Sequence, residues 1–189
     1  MKLVKLYLAI AITLICNALS AQEHEEVLMS NSNLRNLGKI ELGLHGINFG
    51  YEAVVGRKWT MELAAGAGGG YYIDGDVVHY NFILNRPALF LKAGARWNYN
   101  IDKRAIQGRN ITNNSANYVG TQLKYSFGQK NLLELSPAFL GEVHWGLQRP
   151  LGRNFIFNTH IGLGYLNDTR WNQQKIVPTL GVKFGYVVF

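Results

Sequence analysis

The residues from Leu180 to Phe189 read Leu-Gly-Val-Lys-Phe-Gly-Tyr-Val-Val-Phe. Apolar side chains occupy every second position of this stretch: Leu180, Val182, Phe184, Tyr186 and Val188. The positions between them are polar or lack a side chain: Gly181, Lys183 and Gly185. Because side chains of an extended strand point alternately to its two faces, this pattern predicts a β-strand with one apolar and one polar face. Phe189 falls out of phase with the apolar face.

The same alternation recurs upstream and predicts an all-β fold of antiparallel strands. The further strand regions are 40–55, 59–73, 89–99, 119–127, 132–148 and 155–165, and the closing strand is 176–189. Region 59–73 alternates without a break from Trp59 to Ile73 and is followed by a predicted loop over 74–86. In the closing strand, Pro178 predicts an early interruption, because proline cannot donate a backbone hydrogen bond to a neighbouring strand.

Region 40–55 changes phase at Gly46, which leaves the strand count open. Its apolar residues occupy even positions up to Leu44 and odd positions from Ile47 onward. A slip of one residue moves every side chain to the other face, so Gly46 marks either a bulge or a tight turn. A turn would raise the count from seven strands to eight, and we favour eight because closed antiparallel barrels usually have an even number of strands. Eight antiparallel strands form an up-and-down barrel that is filled by side chains and has no open pore.

The second face of the strands carries glycine, amide, histidine and charged side chains. Besides Lys183, the charged and histidine residues assigned to this face are Glu62, Lys92, Arg96, Lys124, Glu142, His144 and His160. Inside a barrel they would form an interior polar network, because an unpaired buried charge is costly. We expect Arg96 to pair with an inward-facing glutamate, preferably Glu62, since a guanidinium can hold a carboxylate with two hydrogen bonds.

The N-terminal residues have the pattern of a cleaved export signal. Lys2 and Lys5 precede an apolar run from Leu6 to Cys16, which is too short to cross a membrane as a helix. A lipoprotein signal at Cys16 is disfavoured, because Ile15 stands where a small residue is needed. We predict a signal peptide over 1–21, a polar N-terminal segment over 22–38 and a barrel domain over 39–189.

The composition excludes several kinds of site. Cys16 is the only cysteine, so the chain after the predicted signal has no disulfide and no thiolate chemistry. Removing Lys2 and Lys5 leaves 19 − 2 = 17 basic residues against 12 acidic ones. No basic run accompanies this mild excess, so nucleic acid is not an expected partner.

Long strands with aromatic residues at the ends of their apolar faces are typical of membrane barrels. The chain resembles the small outer-membrane β-barrel proteins of Bacteroidota, on the following stretches besides the closing strand: Gly50-Tyr51-Glu52, Arg96 to Asn100, Lys103-Arg104, Gly108-Arg109 and Asn114 to Tyr118. The resemblance implies a transmembrane barrel in the bacterial outer membrane. It also implies two partners, namely outer-membrane lipid and, through the strand that ends at Phe189, the outer-membrane assembly machinery.

Evidence for catalysis in the sequence is weak. Glu142, His144 and His160 are residue types that a lipid esterase uses, but no serine stands at an evident partner position. Asp74-Gly75-Asp76 lacks the later ligands of a calcium loop. We therefore predict no catalytic, cofactor-binding or metal residues and favour a structural or binding role in the envelope. The alternatives are a membrane-embedded lipid-modifying hydrolase and a soluble secreted barrel that binds an apolar ligand.

Overall fold

The computed structural model of the chain describes residues 33–75, 77–81, 87–129 and 136–189. Their strands are β1 (Leu37–Gly43), β2 (Gly46–Gly56), β3 (Trp59–Gly68), β4 (Gly70–Asp74), β5 (Val77–Asn81), β6 (Ala88–Trp97), β7 (Asn117–Ser126), β8 (Ala138–Pro150), β9 (Phe155–Asp168) and β10 (Gln173–Val187). As predicted, eight of them form a closed antiparallel barrel, in which β10 pairs with β1, while β4 and β5 form a separate hairpin. The predicted signal peptide over 1–21, and the predicted polar segment as far as residue 32, lie outside the described residues.

The phase change at Gly46 is a tight turn, and this turn supplies the eighth strand. Leu44 and His45 connect β1 to β2, and Gly43 pairs with Gly46 across the turn. Gly46 has a φ of 114°, in the left-handed region that residues with a Cβ rarely adopt. A Cβ at Gly46 would also lie 2.2 Å from the carbonyl oxygen of Ala67 on β3. Both the turn and the neighbouring strand therefore require glycine here.

The C-terminal half of β10 closes the barrel. Its residues from Lys183 to Val187 pair with β1, from Gly43 back to Lys39. Phe189 lies beyond the strand, and its carbonyl oxygen accepts a hydrogen bond from the amide of Gly38 at 3.0 Å. Its ring covers Gly38, where a Cβ would lie 2.5 Å from ring carbons. Phe189 therefore helps to close the barrel against β1 and is not part of the apolar outer face.

β10 runs from Gln173 to Val187, so the predicted interruption at Pro178 is wrong. β9 pairs with β10 as far as Gln173, whereas β1 reaches only to Lys183. Val182 and Pro178 are an even number of positions apart, so their backbone groups point to the same side of β10. On that side the carbonyl oxygen of Val182 accepts a hydrogen bond from the amide of Leu44 at 3.1 Å. The nitrogen of Pro178 therefore faces the part of the edge that β1 leaves uncovered, where no amide donor is needed.

The predicted strand over 59–73 ends early, and the predicted loop over 74–86 is partly strand. β3 stops at Gly68, and the chain then forms the β4–β5 hairpin. Tyr71 and Ile73 do not continue the apolar outer face, because both are buried in one cluster with inward-facing residues of β8 and β9. Alternation continues through both strands, so it cannot reveal the break. The run Gly68-Gly69-Gly70 lets the chain leave the wall at this point.

The connections divide between the two ends of the barrel. The hairpin end carries the β1–β2 turn, the β4–β5 hairpin and the connections from β7 to β8 and from β9 to β10. The termini end carries the β2–β3 and β8–β9 turns, Phe189 and the connection over 98–116.

The connection over 98–116 contains the short helix α1 (Ile101–Ile106). Ile101 packs with Leu34, Val54 and Ala116 in a small apolar cluster. Asp102 lies 3.2 Å from Lys58 Nζ on the β2–β3 turn, and Asn33 and Lys58 donate hydrogen bonds to its carboxylate. Partial burial raises the pKa of Asp102, but these hydrogen bonds outweigh it and bring the pKa below its usual value. No helix in the described part of the chain is long and apolar enough to cross a membrane.

The strands bury their polar face and expose their apolar face. Leu63 and Leu163, at mid-strand positions of β3 and β9, are 60% and 65% exposed, whereas Lys39 and Glu41 on β1 are 0% exposed. This phase agrees with the one predicted for each strand. Aromatic residues mark the ends of the outer face, as where Trp59 and Trp97 stack at 6.4 Å between ring centroids. The barrel is therefore polar inside and apolar outside.

Candidate functional site

An ionic cluster fills the middle of the barrel. It consists of seven buried side chains from five adjoining strands: Lys39, Glu41, Glu52, Glu62, Lys92, Arg96 and Lys183. Lys39 Nζ lies 2.6 Å from Glu52 Oε2, 2.8 Å from Glu62 Oε2 and 3.9 Å from Glu41 Oε1. Lys183 Nζ lies 3.0 Å from Glu41 Oε2. Four cations meet three carboxylates, so the ionic cluster carries one surplus positive charge.

The predicted pair of Arg96 and Glu62 is present within the ionic cluster. Arg96 Nη2 lies 3.0 Å from Glu62 Oε2, and Arg96 Nη1 lies 3.4 Å from Glu52 Oε2. The guanidinium also lies over the ring of Tyr118, 4.9 Å from its centroid. Lys92 Nζ approaches the other oxygen of Glu62 at 2.6 Å. Glu62 therefore contacts three cations, whereas only one partner, Arg96, is predicted for it from the sequence.

Three members of the ionic cluster are missing from the predicted network: Lys39, Glu41 and Glu52. The signal for two of them is in the sequence, since Lys39 and Glu41 alternate with Ile40 and Leu42. This alternation assigns Lys39 and Glu41 to the inner face only when Gly46 is known to lie in a turn. If Gly46 were a bulge within one strand, the sequence would not show which face of β1 lies on the same side as Glu52 of β2.

Glu142, His144 and His160 form a second group on β8 and β9. His144 Nδ1 lies 3.1 Å and His160 Nε2 lies 3.3 Å from Glu142 Oε1. Gln122 on β7 donates a hydrogen bond to the same oxygen at 3.2 Å. His160 has room because Gly181 lies beside it on β10, where a Cβ would be 2.1 Å from the imidazole. The three predicted residues are therefore brought together, apart from the ionic cluster.

This second group has donor atoms that suit a divalent metal. One carboxylate oxygen and two imidazole nitrogens lie within 4.8 Å of one another, and such sets bind zinc and non-haem iron. Gln122 and the two histidines also surround the carboxylate without an ion, so this geometry by itself assigns no metal. Among the described residues, the contact shared by both imidazoles is Glu142 and not a serine hydroxyl.

Lys124 contradicts the expectation that all interior charges pair. It is buried on β7, but no salt bridge joins it to another described residue, and its Nζ has no hydrogen-bond partner among them. The ammonium lies 4.5 Å from the ring centroid of Phe90 and 5.3 Å from that of Tyr71. Attraction to the two rings offsets part of the cost of burial, but it supplies no negative charge.

A cavity of about 800 Å³ lies at the hairpin end, bordered by the β4–β5 hairpin and the N-terminal half of β10. Its polar lining includes Lys124, Lys92, Lys183, Glu142 and His160. Most of the remaining lining is apolar and aromatic, from Leu44, Tyr71, Val78, Phe90, Leu140 and Ile176 among others. The volume falls in the range of ligand-binding sites, about 300–1,000 Å³. No sequence pattern marks the cavity, because its walls come from seven separate segments.

Comparisons with known proteins give no family assignment. No family model matches the chain, and no match was found among curated proteins or solved structures.

Proposed function

We propose that the protein spans the bacterial outer membrane as a closed barrel without a channel, and that its role is binding rather than catalysis. The observation that carries this proposal is the distribution of polarity. Apolar side chains such as Leu63, Ile161 and Leu163 face outward at mid-strand and are more than half exposed. The charged residues Lys39, Glu41 and Glu52 are almost completely buried. A barrel that folds in water shows the opposite arrangement, whereas a membrane barrel shows this one.

Strand length and the aromatic rims support the same location. Seven of the eight barrel strands contain 10 or more residues, and about 9–11 residues cross a bilayer at a tilt. Trp59, Trp97 and Tyr99 adjoin at the termini end, and Tyr125 and Phe127 adjoin at the hairpin end. Aromatic side chains favour the two membrane interfaces, so aromatic groups at both ends of the barrel suit a bilayer between them.

The filled interior argues against a pore. The ionic cluster joins side chains from β10, β1, β2, β3 and β6 across the barrel, with Lys39 within 4 Å of three carboxylates. At the termini end, Asn114 of the 98–116 connection donates to Glu52 Oε1 at 2.8 Å. The passage is thus occupied by paired side chains, and the cavity at the hairpin end remains as the place for a ligand.

The lipid-modifying hydrolase is the weaker candidate. Its acid and histidines adjoin, but a serine mechanism needs a hydroxyl within hydrogen-bond reach of the imidazole. The contact that both His144 and His160 make, among the described side chains, is with Glu142.

Membrane insertion is tested by flotation. The chain from Gln22 onward, refolded from urea in the presence of phosphatidylcholine vesicles, should float with the vesicles through a sucrose gradient. It should resist extraction by carbonate at high pH, because its apolar face is held by the lipid core. On unboiled gels the folded barrel should migrate differently from the boiled chain. A chain that folds without lipid or detergent and stays at the bottom of the gradient would overturn the proposal.

A further inference from the structure

The barrel wall is incomplete beside the cavity. β1 covers β10 only from Lys183 onward, while β10 extends back to Gln173 with β9 on its other side. No described strand pairs with the remaining edge of β10. The cavity is lined by residues from both faces of β10, the inward-facing Val177 and the outward-facing Ile176 and Leu180. The cavity therefore reaches the apolar outer surface of the barrel through the gap between β10 and Leu44.

One cation at the floor of the cavity lacks a close ionic partner among the described residues. Five lysine and arginine side chains on the barrel strands are buried, and four of them lie in the ionic cluster. The fifth is Lys124, which lines the cavity and whose ammonium has no hydrogen-bond partner among the described residues. The hydroxyl of Thr179, which can donate a hydrogen bond, also lines the cavity and has no partner among the described residues. Glu142, on the same lining, attracts this ammonium from beyond salt-bridge distance and forms no ion pair with it. A buried ammonium without a close counter-charge is costly, and a bound anion would relieve that cost.

We infer that the cavity binds a single-chain amphiphile with a carboxylate head, in chemical class a long-chain fatty acid. The carboxylate accepts hydrogen bonds from Lys124, and the chain leaves past Leu44 and Leu180 into the surrounding lipid. The inference deepens the proposed function and rests on it in one respect, since the side entrance is useful only when the outer surface lies in a membrane. The apolar lining disfavours a small hydrophilic anion, which would leave it unfilled.

The charges on the cavity lining favour a carboxylate over a phosphate. The ammonium of Lys124, which forms no ion pair with a described residue, can balance one negative charge. Glu142 also lines the cavity, and its repulsion of a doubly charged phosphate monoester would be greater than its repulsion of a singly charged carboxylate. Lys92 and Lys183 are already engaged with Glu62 and Glu41.

The test uses dansyl-undecanoic acid, a fluorescent carboxylate with an apolar chain, titrated into the protein folded in dodecyl maltoside micelles. We expect saturable binding that palmitate displaces and that acetate does not. The methyl ester of the probe and dodecyl phosphate should both bind more weakly than the acid. Lys124→Met should weaken binding of the acid by about tenfold or more, because the charge-assisted hydrogen bond is lost.

Two control variants separate ligand binding from folding. Lys103→Met removes an exposed lysine of α1 and should leave probe affinity unchanged. Lys124→Arg keeps the charge and should retain most of the binding. Because Lys124 makes no ion pair with a described residue, Lys124→Met should fold as well as the parent chain, by migration on unboiled gels and by thermal melting. A merely structural lysine would instead lose melting temperature in Lys124→Met.

The inference is overturned by equal probe affinity in Lys124→Met and the parent, by absence of saturable binding, or by tighter binding of dodecyl phosphate. These outcomes are distinct from failure of the proposed function. A barrel that floats with vesicles but fails to bind the probe contradicts the ligand alone. A chain that folds in buffer without lipid or detergent contradicts the membrane location.

Discussion

Replacing Glu62 with glutamine should lower the free energy of unfolding by about 3–5 kcal/mol, the cost typical of breaking a buried ion pair. Glu62 is 4% exposed, and its carboxylate is shared by Lys39, Lys92 and Arg96. Without it, four cations would share two carboxylates, and the surplus positive charge of the ionic cluster would rise from one to two. The measurement is urea unfolding of the barrel in lipid vesicles, followed by tryptophan fluorescence.

A second substitution should recover part of that loss. Arg96→Met in the Glu62→Gln background restores the surplus to one, so the double variant should be more stable than Glu62→Gln alone. Residues in contact are expected to be non-additive in this way. Lys103→Gln, which removes an exposed charge from α1, should change stability by less than about 0.5 kcal/mol. Additive losses from Glu62→Gln and Arg96→Met would show that the two side chains do not form one electrostatic unit.

Leu63→Arg should reduce the stability of the barrel in bilayers by roughly 2–4 kcal/mol, if Leu63 lies near the midplane. Leu63 is 60% exposed on the outer face of β3, so the guanidinium would meet hydrocarbon. Gln122→Arg is the matched control, because Gln122 on β7 faces the interior of the barrel and borders the cavity. There the new cation lies near Glu142, with which Gln122 already forms a hydrogen bond at 3.2 Å.

The comparison should be made in vesicles and in detergent micelles. Leu63→Arg should lose more stability in vesicles, where the bilayer cannot reorganise as easily around a charge. Gln122→Arg should show a smaller loss that is similar in both. Equal losses for the two variants in vesicles would contradict the assignment of inner and outer faces.

The faces of the barrel strands are predictable from the sequence because a single physical rule sets them. In a closed sheet with one polar and one apolar side, alternation at period two fixes the orientation of every residue once the strand exists. The rule places Arg96 and Glu62 inside on neighbouring strands, and their pairing follows. It also places Lys124 inside correctly, but it carries no information about whether a partner lies nearby.

What the sequence does not reveal depends on register and on breaks. Glu142, His144 and His160 meet because His160 pairs with Gly146, two residues from His144, and register is set by turns rather than by alternation. Tyr71 and Ile73 keep the alternation of β3 after the chain has left the barrel wall. The cavity exists because β1 is shorter than β10, a difference in length that alternation on either strand does not record.

The central claim, that the apolar face of the barrel contacts lipid, is tested most directly by spin-label accessibility. Cys16 lies in the predicted signal peptide and is the only cysteine, so a chain that begins at Gln22 can be labelled at one introduced cysteine. Labels are placed at Leu63→Cys and Leu163→Cys on the outer face, and at Gln107→Cys beyond the end of α1 as an exposed control. Collision rates with oxygen, which concentrates in lipid, are compared with those of a water-soluble nickel complex.

In vesicles, labels at 63 and 163 should collide far more often with oxygen than with the nickel complex, and the label at 107 should show the reverse. Labels at 63 and 163 that were as accessible to the nickel complex as the label at 107 would contradict contact between the apolar face and lipid.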